Sequence, residues 1–133
     1  MPSVPPWLKQ TMELNKITGK IIGCCIAIHK ELGPGLLESI YESALCIELD
    51  ERGLKYERQK RLPVKYKNRK IGAFRIDLLV EDSIVLELKS VERFDPLFEA
   101  QILSYMKLGN YKLGLLINFN SKLLKDGIKR FII

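Results

Sequence analysis

Hydrophobic positions in the first quarter of the chain recur at three- and four-residue steps: Leu14, Ile17, Ile21, Cys25, Ile28 and Leu32. That spacing puts them on one side of a helix and predicts an amphipathic helix after a Pro-containing lead-in over residues 1–9. Gly33-Pro34-Gly35 ends it, because glycine is favoured just past a helix terminus and proline cannot continue the hydrogen-bond ladder. A second helix is predicted over residues 36–52, closed by Gly53.

From Leu54 the period falls to two. Leu54, Tyr56 and Arg58 open one strand, and Leu62, Val64 and Tyr66 form another in which Pro63, unable to donate to a ladder, marks a sheet edge. Asn68-Arg69-Lys70 reads as a turn, and residues 71–80 and 84–90 as two further strands. Asp95-Pro96 is a helix start, an N-cap acid followed by proline at the first helical position, for a helix ending near Leu108 before Gly109-Asn110. Residues 111–118 predict a buried strand, and 128–133 a short last one after a turn at Asp126-Gly127. Two helices, four strands, a helix and two strands predict an α/β (α+β) fold with a mixed central β-sheet flanked by helices. A chain of 133 residues is the size of one domain.

The hairpin of residues 75–90, RIDLLVEDSIVLELKS, sets the chemistry. Ile76, Leu78 and Val80 alternate on one strand, and Ile84, Leu86 and Leu88 on the next. If both sets pack on one core, parity places Val80 across from Ile84, Leu78 from Leu86 and Ile76 from Leu88, with Glu81-Asp82-Ser83 as the loop. Asp77 then falls opposite Glu87. Facing carboxylates repel unless neutralised, and two neutralisers are open: a structural ion cluster with Lys89 and Arg75, or a hard divalent cation taking the carboxylate oxygens as ligands.

Charge adds a second feature. The formal net charge is +6, yet residues 55–75 hold nine Lys or Arg (Lys55, Arg58, Lys60, Arg61, Lys65, Lys67, Arg69, Lys70 and Arg75) against one acid, Glu57. Such a segment suits a polyanion, whose counterions it releases, and equally suits a solvated edge protected from strand pairing. Three cysteines without a CxxC pair, and a single histidine, His29, give no zinc set or catalytic triad. The three thiols fit core positions in a reducing compartment. The longest apolar run, Ile21 to Ile28, is short of the roughly 20 residues of a membrane span, and MPSVPPWLKQ lacks a signal-peptide core. A cytoplasmic protein is expected.

Asp77, a spacer and Glu87-Leu88-Lys89 resemble the D…ExK core of the PD-(D/E)XK nuclease superfamily, with Ile76 where the superfamily's name has proline. Gly35-Leu36-Leu37-Glu38-Ser39-Ile40-Tyr41 matches the GxxExxY signature of a family of small proteins placed in that superfamily, and the likeness runs on through LLINF and DGIKR. The resemblance implies one restriction-endonuclease-like domain over residues 1–133 that hydrolyses phosphodiesters of DNA or RNA with Mg2+ or Mn2+. It implies that Asp77, Glu87 and the Leu88 carbonyl hold the ion, that Lys89 orients or helps deprotonate a water, and that Glu38 completes the site, with Glu42 as the reserve acid. Gln101 and Tyr105, one turn apart on a helix, resemble the QxxxY element of RecB-type members and are expected at the substrate with Lys65, Lys67 and Arg75. The alternative is a catalytically silent nucleic-acid-binding or assembly module on the same fold. The small size leaves room for a homo-oligomer or a partner protein.

Overall fold

In a computed structural model describing residues 3–133, the first helix begins at Pro6 rather than after residue 9. Pro6 occupies its first turn, where the missing N–H is no loss. Helix α1 (Pro6–Leu32) ends at Gly33, whose N–H donates to the His29 carbonyl at 2.9 Å. Helix α2 (Glu38–Glu51) follows and buries Tyr41, Leu45 and Leu49. The three cysteines are buried and free. His29 bonds through Nε2 to the Ser121 carbonyl at 2.8 Å, a tie between α1 and the segment after the fourth strand.

Five strands form one sheet in the order β1 (Tyr56–Tyr66), β2 (Arg69–Val80), β3 (Ile84–Lys89), β4 (Leu113–Asn118) and β5 (Ile128–Ile132). The two strands expected at 54–58 and 62–66 are thus one continuous edge strand, β1, with Pro63 in it. The turn lies at Lys67-Asn68 instead of Asn68-Arg69-Lys70; both residues have positive φ, as a type I′ hairpin turn requires. A bulge between Val64 and Lys65 shifts the pairing by one, which is why the turn starts earlier than alternation suggests. Helix α3 (Pro96–Gly109) is capped by the Asp95 side chain accepting from the Leu97 N–H at 2.9 Å, and joins β3 to β4, which run parallel. The other pairs are antiparallel, so the sheet is mixed as expected.

Both faces of the sheet are covered. Leu78, Val80, Ile84, Leu86, Leu88, Leu113, Leu115 and Ile117 pack with α1 and α2; Leu79, Val85 and Leu116 pack with Ile102 and Met106 of α3. Gly114 lets α3 approach β4: a Cβ there would lie 2.7 Å from the Met106 sulfur. Ile76 breaks the alternation. It belongs to the α3 side with Leu62, although Leu78, two residues on, belongs to the α1/α2 side. The switch falls at Asp77.

Candidate active site

The hairpin register is the expected one as far as Val80↔Ile84, Leu79↔Val85 and Leu78↔Leu86. Beyond Leu78 the ladder stops, so Ile76↔Leu88 does not form. The Asp77 carboxylate takes over: its Oδ2 accepts the Leu88 N–H at 2.8 Å, and the Asp77 N–H donates to Glu87 Oε1 at 3.4 Å. Each acid thus satisfies a backbone group of the other strand's fork, and the two carboxyl groups are held side by side.

Opposite Asp77 on β1 stands Gln59, a non-glycine residue at φ 48°. Its neighbours keep register, Arg58↔Leu78 and Lys60↔Ile76, while Gln59 itself drops out of the ladder. Backbone strain of this kind costs on the order of 1–3 kcal/mol and gathers at functional sites. Here it aims the Gln59 amide at Glu42 Oε1 (2.8 Å) and, at 3.5 Å, at Asp77 Oδ1. Sequence reasoning missed Gln59. The signal was the gap in alternation between Arg58 and Leu62, which resembles a loop between two strands.

Glu38, Ser39, Glu42, Gln59, Asp77 and Leu88 line a cleft of about 220 Å³. The G-x-x-E-x-x-Y segment builds its α2 wall. Gly35 sits at φ 94°, open to glycine and strained for other residues. Tyr41 is buried, stacks on Phe119 with ring centroids 4.3 Å apart, donates its hydroxyl to the Gly33 carbonyl at 2.6 Å and accepts the Leu36 N–H at 3.1 Å. The tyrosine pins the loop that delivers Glu38. Glu38 in turn accepts the Ser90 N–H at 3.3 Å, just past β3. Glu42, the reserve acid, is already occupied by Arg58, whose Nε and Nη2 reach its Oε2 at 3.2 and 3.0 Å.

Glu87 is 7% exposed and lies beside Asp77 rather than on the cleft wall. Burial, reinforced by the neighbouring Asp77 charge, pushes its carboxyl up to about 9. Lys89 is not drawn to the acids: among the described residues it forms no ion pair, and its Nζ lies over the Phe98 ring, 4.4 Å from the centroid. Tyr105 on α3 packs on Phe74 at 5.1 Å, and its phenol is raised first by burial, then by the charges of Glu87 and Asp77. Gln101, one turn earlier, is half-buried. Lys65, Lys67 and Arg75 are exposed on the β1–β2 hairpin, away from the cleft wall.

Among the described residues no three His, Cys, Asp or Glu side chains converge closely enough to hold a metal ion by themselves. Two adjacent carboxylates, one kept neutral by burial and like charge, still fit a hard cation that retains several waters and takes one or two protein acids. Also among the described residues, no helix is long and apolar enough to cross a membrane.

No curated protein and no solved structure matches the chain. Residues 15–131 match the PD-(D/E)XK nuclease superfamily. That span includes α2, the Asp77–Glu87 fork and α3, and with the mixed sheet flanked by helices it shows that the chain belongs to this superfamily, with a restriction-endonuclease-like, nuclease-like fold.

Proposed function

We propose that the protein is a Mg2+- or Mn2+-dependent nuclease that hydrolyses phosphodiester bonds of DNA or RNA, of the GxxExxY subfamily. The observation that carries this reading is the carboxyl pair at the fork: Asp77 on the wall of an acid-lined cleft, with the buried Glu87 directly behind it, tied by the Leu88 and Asp77 N–H groups. PD-(D/E)XK nucleases generally use divalent metal ions. Asp77, Glu87, the Leu88 carbonyl and Glu38 would hold the ion. When bound, it supplies positive charge against the charge that develops on the phosphate, and lowers the pKa of a water.

The chain's own groups do the rest. Glu87 would release its proton to solvent for the pair to serve as ligands. Lys89 swings from the Phe98 ring to orient the attacking water and stabilise the transition state. Gln101 and Tyr105, the latter near enough to Glu87 and Asp77 to feel their charge, bound the fork from α3, while Lys65, Lys67 and Arg75 neutralise backbone phosphates along the hairpin beyond it.

A silent binding or assembly module is the second reading. It is favoured by the lack, among the described residues, of a third converging acid and by Lys89 lying over Phe98. Thermal melting with EDTA, Mg2+ and Mn2+, beside cleavage of single- and double-stranded DNA and RNA, separates the two. The nuclease reading expects a rise in melting temperature and metal-dependent cleavage, both lost in Asp77→Asn. A metal-indifferent protein that cuts nothing is the silent module.

A further inference from the structure

Apart from Leu62 and Phe74, which pack on the α3 side, the outer part of the β1–β2 hairpin adds nothing to the core. Arg69 to Arg75 are all exposed, and β3 pairs with β2 only at Leu78 to Val80, so the hairpin beyond Ile76 is a two-stranded ribbon. Its pairing sets like charges directly opposite one another: Arg61 faces Arg75, and Lys65 faces Lys70. Like charges in that position destabilise a sheet. Within the described residues Arg58 and Lys60 have acid partners, whereas Arg61, Lys65, Lys67, Arg69, Lys70 and Arg75 form no ion pair.

The charges also share a side. Leu62 and Ile76 pack with α3, and Phe74 touches Tyr105, so Arg61 and Arg75, one residue over, face away from α3. Lys65 follows on the same face of β1. That is the side on which α2 lies, where Glu38, Ser39 and Glu42 line the cleft. From Asp77 to Asn68 the strand spans about 30 Å at about 3.3 Å per residue.

We infer that the ribbon is an arm for double-stranded nucleic acid, whose cationic face holds the phosphates of a duplex running from the cleft for about nine base pairs at ~3.4 Å per step. The inference rests on the nuclease reading for the cleft, and its test does not. Single-strand binders present aromatic stacking platforms in the basic groove. Here Pro63 and Ala73 lie between the charged pairs, while Phe74 is on the other face against α3. The exposed Tyr66, covered by Lys67, alternates onto the same side as Phe74, so the paired cations face a duplex backbone with no ring between them.

The test is binding in EDTA, where the metal chemistry is silent, by anisotropy of labelled 6-, 12- and 24-base-pair DNA and RNA duplexes and of the matching single strands. Expected are a steep gain from 6 to 12 base pairs, little more at 24, and at least tenfold preference for duplex. DNA and RNA arms distinguish the two sources of phosphate. The variant Arg61→Gln/Lys65→Gln/Lys70→Gln/Arg75→Gln should lose on the order of a hundredfold in affinity, with the salt slope reduced by about 3 to 4. Its melting temperature should be unchanged or higher, since mutual repulsion is removed, and its Mg2+-induced melting shift should persist. Equal or tighter single-strand binding, no gain with length, or full affinity in the variant each overturns the arm. Loss of the metal shift in the wild type, with duplex binding intact, would instead remove the nuclease reading and leave the arm.

Discussion

The inner and outer parts of the β1–β2 hairpin share their strands and most of their register, and differ in what surrounds them. At Leu78 to Val80 β2 is walled in by β3 and by helices on both faces, and the two carboxyls at its head, Asp77 and Glu87, form no ion pair among the described residues. From Pro63 and Ala73 outward the hairpin is exposed apart from the half-buried Val64, and carries cations without acids. Gln59 and Asp77 mark the boundary, where backbone strain and a change of face coincide. Uncompensated charge of one sign is costly at either end for different reasons, desolvation inside and repulsion outside. The two excesses are complementary to two parts of one ligand, a divalent cation and a phosphate chain.

Breaking the inner part should have the largest effect. Asp77→Asn or Glu87→Gln removes an anionic ligand and is expected to abolish the Mg2+-induced melting shift and to lower cleavage by at least about a thousandfold. Lys89→Ala should separate the roles: cleavage is lost while the metal shift stays or grows, because a cation that Glu87 feels at a distance, with no ion pair among the described residues, has gone. If Lys89→Ala unfolds the protein and both acid variants melt like wild type with and without metal, the trio is a structural cluster.

Packing gives the next contrast. Leu86→Ala, fully buried at the hairpin centre, is expected to cost about 2–5 kcal/mol, whereas Ile71→Ala on the exposed ribbon should stay within about 0.5 kcal/mol. Urea melts of both check it; a comparable loss at Ile71 would mean that the ribbon packs on something in solution.

The carboxyl pair also predicts a pH slope. Glu87 is raised to about 9, mainly by burial, so between about pH 5 and 9 the folded metal-free protein holds a proton that the unfolded chain has released. By linkage its contribution is present at the acid end and falls as pH rises, by up to about 1.4 kcal/mol per pH unit. Glu87→Gln should flatten that part of the curve in EDTA. A stability that rises from pH 6 to 9 in wild type, with the slope unchanged by the substitution, would mean Glu87 ionises normally.

Tyr41→Phe is smaller still. It removes a hydroxyl that bonds to Gly33 and Leu36 but keeps the ring on Phe119, so about 1–2 kcal/mol should be lost. Because those bonds hold the loop leading to Glu38, metal-supported cleavage should fall more than stability. Calorimetry beside cleavage assays reads both; wild-type cleavage would confine Tyr41 to packing.

What could be read from the chain depended on range. The Gly33-Pro34-Gly35 stop, the Asp95-Pro96 cap and the pairing of Leu78 with Leu86 are local patterns, and each is where alternation or capping places it. The adjacency of Asp77 and Glu87 follows from the same parity, although the fork that joins them does not, since parity assumes that the ladder continues. Positive φ at Gln59 leaves no mark in residue type, so one bent strand looked like two. The bulge at Val64/Lys65 likewise displaced the turn. Lys89 over Phe98 and Arg58 on Glu42 depend on how α3 and α2 settle on the sheet, which periodicity alone does not specify.

The smallest expected effect tests the outer part in the opposite sense. Arg75→Gln takes one cation from the Arg61↔Arg75 pair, both exposed and neither in an ion pair among the described residues. Relief of a like-charge cross-strand contact is worth roughly 0.2–1 kcal/mol, so the variant should be slightly more stable than wild type at low salt. Screening removes the difference: at 1 M salt the Debye length is about 3 Å, and the two proteins should melt together. Duplex affinity should fall in the same variant, so that stability and binding move in opposite directions. If Arg75→Gln is instead destabilising at low salt, Arg75 has an attractive partner in solution, and the ribbon is held by the body of the protein rather than free for a polyanion.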